Sequence, residues 1–158
     1  MAPQLHLLVL GGLLSLLLIA CGAEADQAAT QSACPVTAPD WVTPPEDAAV
    51  QGELAPGYYF VNTDQSIWAA AWWHDQDLTY LRAGGDGIKV GWFRPAGVDL
   101  EITGQRIDGS APGLEAYVPC CYPTRFQSSG LYFPAEGCWQ VSAKAAQSEL
   151  IFVVWVGP

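Results

Sequence analysis

Thiols offer the most chemistry in this chain. Five cysteines occur in 158 residues: Cys21, Cys34, the adjacent pair Cys120 and Cys121, and Cys138. A thiolate can carry an acyl group, ligate a metal or exchange with a disulfide, and compartment and neighbours decide which. Apart from Cys21 the set is even, which in an exported chain argues for disulfides over metal ligation. Four cysteines admit three pairings. Adjacent cysteines can bond only by distorting their shared peptide link, so a Cys120–Cys121 bond is strained and easily reduced. That arrangement would make the pair a redox or thiol module. If one of the two bonds Cys138 instead, it closes a short loop worth about 3 kcal/mol.

His74 is the other candidate for catalysis. A base of the triad kind needs a carboxylate to orient it, and Asp75 and Asp77 are close in sequence. No Gly-x-Ser-x-Gly elbow accompanies it, however, and it sits beside Trp72 and Trp73 as a strand-end residue would. Asp75-Gln76-Asp77, and Asp86 between Gly85 and Gly87, place carboxylates in turns where calcium ligands come from. Without a twelve-residue loop pattern they read as local hydrogen-bonders. Gly84-Gly85-Asp86-Gly87 is a turn and no phosphate loop, since no Gly-Lys-Ser/Thr follows. These residues predict neither a metal nor a cofactor, and no enzyme.

Aromatic side chains give a stronger lead. Trp68, Trp72, Trp73 and Trp92 exceed what a small sandwich core needs. If the segment is a strand, adjacent Trp72 and Trp73 point to opposite faces and one of them meets solvent. An exposed aromatic shelf stacks on sugars or receives a protein. Trp72, Trp73, His74 and Tyr122 are therefore the candidate ligand-binding residues. The competing reading packs nearly all of these rings inside the domain.

The elements that must position these residues begin with a leader. From Leu7 to Ala20 the chain is apolar except for Ser15. As helix these residues would span only ~21 Å, short of the ~30 Å hydrocarbon core, which suits a signal peptide better than a membrane span. Leu18-Ile19-Ala20-Cys21 closely resembles the bacterial lipobox. The resemblance implies cleavage after Ala20, lipidation of Cys21 and an extracytoplasmic protein anchored to a bacterial membrane. Several acyl chains on one cysteine hold a protein stably. Met1 to His6 departs from the pattern, having no Lys or Arg.

Residues 21–53 read as the lipidated cysteine and an acidic tether with prolines at 35, 39, 44 and 45. Its composition buries too little to offset ordering entropy, although Cys34-Pro35-Val36-Thr37 can be pinned by a bridge. Residues 54–158 form the folded domain. Apolar stretches run from Tyr58 to Asn62, Ile67 to Trp73, Leu78 to Arg82, Ile88 to Phe93, Leu114 to Val118 and Gly130 to Phe133. Val98, Leu100 and Ile102 alternate with polar residues, as do Trp139, Val141 and Ala143. Glu149 to Val156 is continuously apolar, as a central strand covered on both sides would be. Roughly seven or eight short antiparallel strands at this spacing predict an all-β, immunoglobulin-like sandwich, with a small β-barrel as the alternative.

Sixteen acidic residues oppose six Lys and Arg, a formal charge of −10. Such a surface repels phosphate backbones and excludes nucleic acid and a polybasic grip on lipid.

Gly91-Trp92-Phe93-Arg94-Pro95, Ile102 to Asp108, Phe126 to Leu131, and Phe133-Pro134 through Gly137-Cys138-Trp139-Gln140-Val141 occur in this order. Together they resemble a group of uncharacterised secreted or lipid-anchored bacterial proteins that end in a Gly-Cys-Trp β-hairpin. The resemblance covers most of the chain from Cys34 onward. It implies an extracytoplasmic β domain and a Cys34–Cys138 bond, and brings no activity. The reading that follows is a membrane-anchored lipoprotein with a non-catalytic binding or scaffolding module at the cell envelope. Its partner is the membrane, through the anchor, and an envelope protein or a glycan. A redox module at Cys120 and Cys121, or a sugar-binding module using exposed Trp, is the alternative.

Overall fold

A computed structural model describes residues 31–48, 55–76, 81–120 and 122–158. The leader, Cys21, Asp77, Cys121 and the start of the Leu78–Arg82 stretch lie outside the described residues. Ten strands are found among the described residues: β1 (Asp40–Val42), β2 (Gly57–Val61), β3 (Trp68–Ala70), β4 (Leu81–Arg82), β5 (Ile88–Phe93), β6 (Glu101–Arg106), β7 (Glu115–Tyr117), β8 (Phe126–Tyr132), β9 (Gly137–Ala145) and β10 (Ser148–Gly157). They form a six-stranded sheet in the order β1-β2-β3-β5-β8-β7 and a four-stranded sheet in the order β4-β10-β9-β6. The chain is an all-β sandwich whose sheets do not close into a barrel. It has more strands than the sequence pattern suggested; β4 and β7 fall within stretches the pattern picked out, whereas three-residue β1 is too short to leave a period. One pair is parallel, β4 against β10.

The core follows from alternation. Phe60, Val90, Trp92 and Leu131 face inward from the larger sheet, and Ile102, Trp139, Val141, Phe152 and Val154 meet them from the smaller. Phe60 and Phe152 stack across the gap with ring centroids 4.2 Å apart. The indoles of Trp92 and Trp139 are fully buried, yet each N–H finds an acceptor, Ser129 Oγ and the Ala135 carbonyl respectively. A buried indole needs such a partner, so these two rings are structural. A second cluster of Tyr59, Trp68, Ala70 and Phe93 lies on the opposite face of the larger sheet, closed over by Ala48. Much of the segment read as tether is thus built into the sandwich. β1 pairs with β2, and Thr37 exchanges two hydrogen bonds of 2.9 Å with Val153 on β10.

Two elements differ from the sequence reading. The stretch Ile67–Trp73 is not one strand. β3 ends at Ala70 and a 3-10 helix spans Trp72–Gln76, opened by His74 N–H donating to the Ala71 carbonyl at 2.9 Å. The turn lets two bulky consecutive indoles leave the sheet in different directions. β10 is central in its sheet but covered on one face only. Leu150, Phe152, Val154 and Val156 are buried, whereas Glu149 and Ile151 are exposed and Val153 and Trp155 half-buried. β-branched residues suit any strand position, so their run marked extended backbone and carried no information on a second cover.

Candidate functional site

Residues of even number on β8 face away from the core, because Leu131 and Ser129 face into it. The register carries this face across the sheet: Gly91 lies opposite Ser128, Lys89 opposite Gly130, Gly130 opposite Tyr117 and Tyr132 opposite Glu115. Glycine at 91 leaves space that the Trp72 indole fills. A Cβ there would stand 2.6 Å from its ring and 3.2 Å from Phe126. Tyr132 uses Gly87 and Gly130 in the same way, at 2.5 Å and 3.2 Å from the Cβ positions. The rings thus settle onto glycine instead of projecting from the sheet, and still meet solvent. Trp72 and Tyr132 are each 38% exposed, and Tyr117 on edge strand β7 is 64% exposed.

Tyr122 joins this surface. Its hydroxyl is 3.0 Å from Ser128 Oγ and its ring 6.2 Å from that of Phe126. The loop carrying it is held from beneath by Arg94, which is only 2% exposed. The guanidinium donates to the carbonyls of Tyr122 (3.1 Å), Thr124 (3.3 Å) and Pro95 (2.8 Å) and to Gln127 Oε1 (3.0 Å). Gln127 in turn donates to the Pro119 carbonyl. Arg94 Nε has no partner among the described residues, and burial pulls the guanidinium pKa down from its ordinary value. Cation and amide together fix both ends of the segment that contains the cysteine pair.

Trp73 and His74 go elsewhere. The 3-10 helix turns Trp73 toward the core, 6.1 Å from Phe60, and sets His74 edge-on against Tyr58 at 4.3 Å. Both line a mainly apolar cleft of about 280 Å³ together with Pro39, Phe60, Val154 and Trp155. The four ligand-binding candidates therefore fall into two places, Trp72 with Tyr122 on the open sheet face and Trp73 with His74 in the cleft. Tyr117, Tyr132 and Lys89 escaped the sequence reading. Their signal was the polar, glycine-containing alternation Ser128-Gly130-Tyr132 beside Lys89 and Gly91, legible only once the strands were paired.

Cys34 and Cys138 form a disulfide with Cα atoms 5.5 Å apart. This is the pairing that the resemblance implied, and it removes the pairings that give Cys138 to Cys120 or Cys121. Cys120 is exposed and disulfide-bonded. Among the described residues no three His, Cys, Asp or Glu side chains converge as a metal ion requires.

Fold and surface together define a β-sandwich that presents an aromatic, glycine-floored sheet face to solvent. Compared with known families, curated proteins and solved structures, the chain matches none.

Proposed function

We propose that this chain is an extracytoplasmic lipoprotein, held at a bacterial membrane by acylated Cys21, whose sandwich is a non-catalytic module binding a component of the cell envelope. The observation that carries the reading is the open face of the six-stranded sheet, where Trp72, Tyr117 and Tyr132 remain exposed on one surface. Exposed aromatics gathered on one face cost solvation unless a partner covers them, and flat rings are favoured where binding must be firm at low entropy cost. The Cys34–Cys138 bond fits an oxidising compartment.

The test is cosedimentation of the full-length protein, kept in detergent, with washed envelope fragments. Trp72→Ala combined with Tyr132→Ala should lower retention at least about tenfold, since each anchor residue is worth more than ~1 kcal/mol. Near-ultraviolet circular dichroism reports whether the buried tryptophans stay packed. Retention equal to wild type in a folded double variant refutes the assignment of this face.

A further inference from the structure

The same sheet face carries a charge that does not belong to the fold. Arg94 is buried, Arg106 pairs with Asp108, Arg125 with Asp47 and Lys144 with Glu149, while Arg82 is exposed on β4 of the other sheet. Lys89 is exposed and has no carboxylate within ion-pair distance among the described residues. It stands opposite Gly130, which stands opposite Tyr117, while the Trp72 indole lies over the next outward position, Gly91. A row thus runs from Trp72 past Lys89 to Tyr117, with the Tyr132 ring lying against Gly130 between them. From β5 over β8 to β7 it crosses two strand spacings, about 10 Å, more than the width of a single sugar ring.

Resting on the reading of this face as the binding surface, we propose that its ligand is a glycan chain bearing carboxylates spaced by neutral sugars. Three features select that chemistry. Aromatic rings at the two ends match the apolar faces of pyranose rings. Between them the Tyr132 ring, laid against Gly130 and partly exposed, adds a third flat surface. The Lys89 ammonium on this face is complementary to one carboxylate at a time; the net charge of −10 disfavours a dense polyanion. The Tyr122 and Ser128 hydroxyls, 3.0 Å from one another, supply polar contacts at the margin.

The probe is a hyaluronan hexasaccharide, in which uronate alternates with a neutral amino sugar, compared with its methyl-esterified form and with oligoglutamate. Binding to the full-length protein is followed by tryptophan emission and calorimetry. The native hexasaccharide should bind about tenfold tighter than the ester, Lys89→Gln should erase that difference, and Tyr117→Ala should weaken both sugars alike. The advantage of the native sugar should shrink with added salt. Equal binding of both sugars, or an unchanged preference in Lys89→Gln, overturns the carboxylate. Preferential binding of oligoglutamate overturns the glycan in favour of an acidic peptide. If neither sugar binds while envelope fragments still retain the protein through Trp72, the glycan assignment falls and the binding face stands. If envelope retention is absent too, both fall.

Discussion

A single missing side chain decides how Trp72 sits. Because a Cβ at position 91 would lie 2.6 Å from the indole, Gly91→Ala forces the ring off the sheet while leaving the inward neighbours Val90 and Trp92 in place. The expected result is a folded protein with unchanged signals from its buried tryptophans, greater quenching of Trp72 by iodide and a clear loss of envelope retention. Iodide quenching identical to wild type would mean that the ring does not use that space. The sequence displayed both residues, but their contact depends on a turn after β3 and on the pairing of β3 with β5, so neither residue type announced it. Arg94 was equally opaque. Read along the chain it is a cation ahead of a proline; in the fold it is a buried donor gathering three carbonyls and a glutamine, a role that no local pattern encodes.

Among the elements, legibility followed length. β9 was readable because nine residues of regular strand give the period-two pattern room to repeat, and β5 because a six-residue apolar stretch lies between turn residues. β1, of three residues, exists because β2 offers it hydrogen bonds, and it has no signature of its own, whereas two-residue β4 lies at the end of the apolar stretch Leu78 to Arg82. The turn between β2 and β3 illustrates how side chains then tie elements together. Asp64 accepts hydrogen bonds from the Ser66 hydroxyl (2.6 Å) and backbone N–H (3.1 Å), and from Ser148 at 3.2 Å. Since Ser148 begins β10, this carboxylate links strand ends of the two sheets. The hydrogen bonds from Ser66 chiefly, and that from Ser148, hold its pKa below the usual aspartate range. A depressed carboxylate contributes stability above its unfolded pKa and loses it as the pH falls through the folded value. Asp64→Ala should therefore be less stable than wild type at neutral pH, and the gap should close in acid as the wild-type carboxyl is protonated. Urea unfolding at a series of pH values checks this, and a gap independent of pH refutes it.

For the molecule as a whole, turn spacing and aromatic content were enough to indicate two packed sheets, since many short strands with turn residues between them have few other ways to bury a core. What spacing could not indicate was how the start of the domain is secured to its end. Cys34 and Cys138 are 104 residues apart in sequence, so their bond closes the chain from before β1 to the start of β9 into one loop. In the chain-entropy account, closing a loop of that length restricts the unfolded state by about 4–5 kcal/mol. On the folded side, the hydrogen bonds between Thr37 and Val153 already place the first strand-like segment against β10, so the crosslink fits an arrangement that the backbone itself favours. The double variant Cys34→Ser, Cys138→Ser should accordingly fold to the same sandwich and unfold at markedly lower urea, with the loss arising mainly from a freer unfolded chain. Unfolding midpoints of the variant and the oxidised wild type, measured at equal slope, provide the comparison. Losing about 1 kcal/mol or less would mean that the unfolded chain is already constrained without the crosslink. Any anchor at Cys21 pulls on the domain through Cys34, and the same bond delivers that load to β9, in the middle of the four-stranded sheet, before it reaches the short edge pairs at β1 and β4.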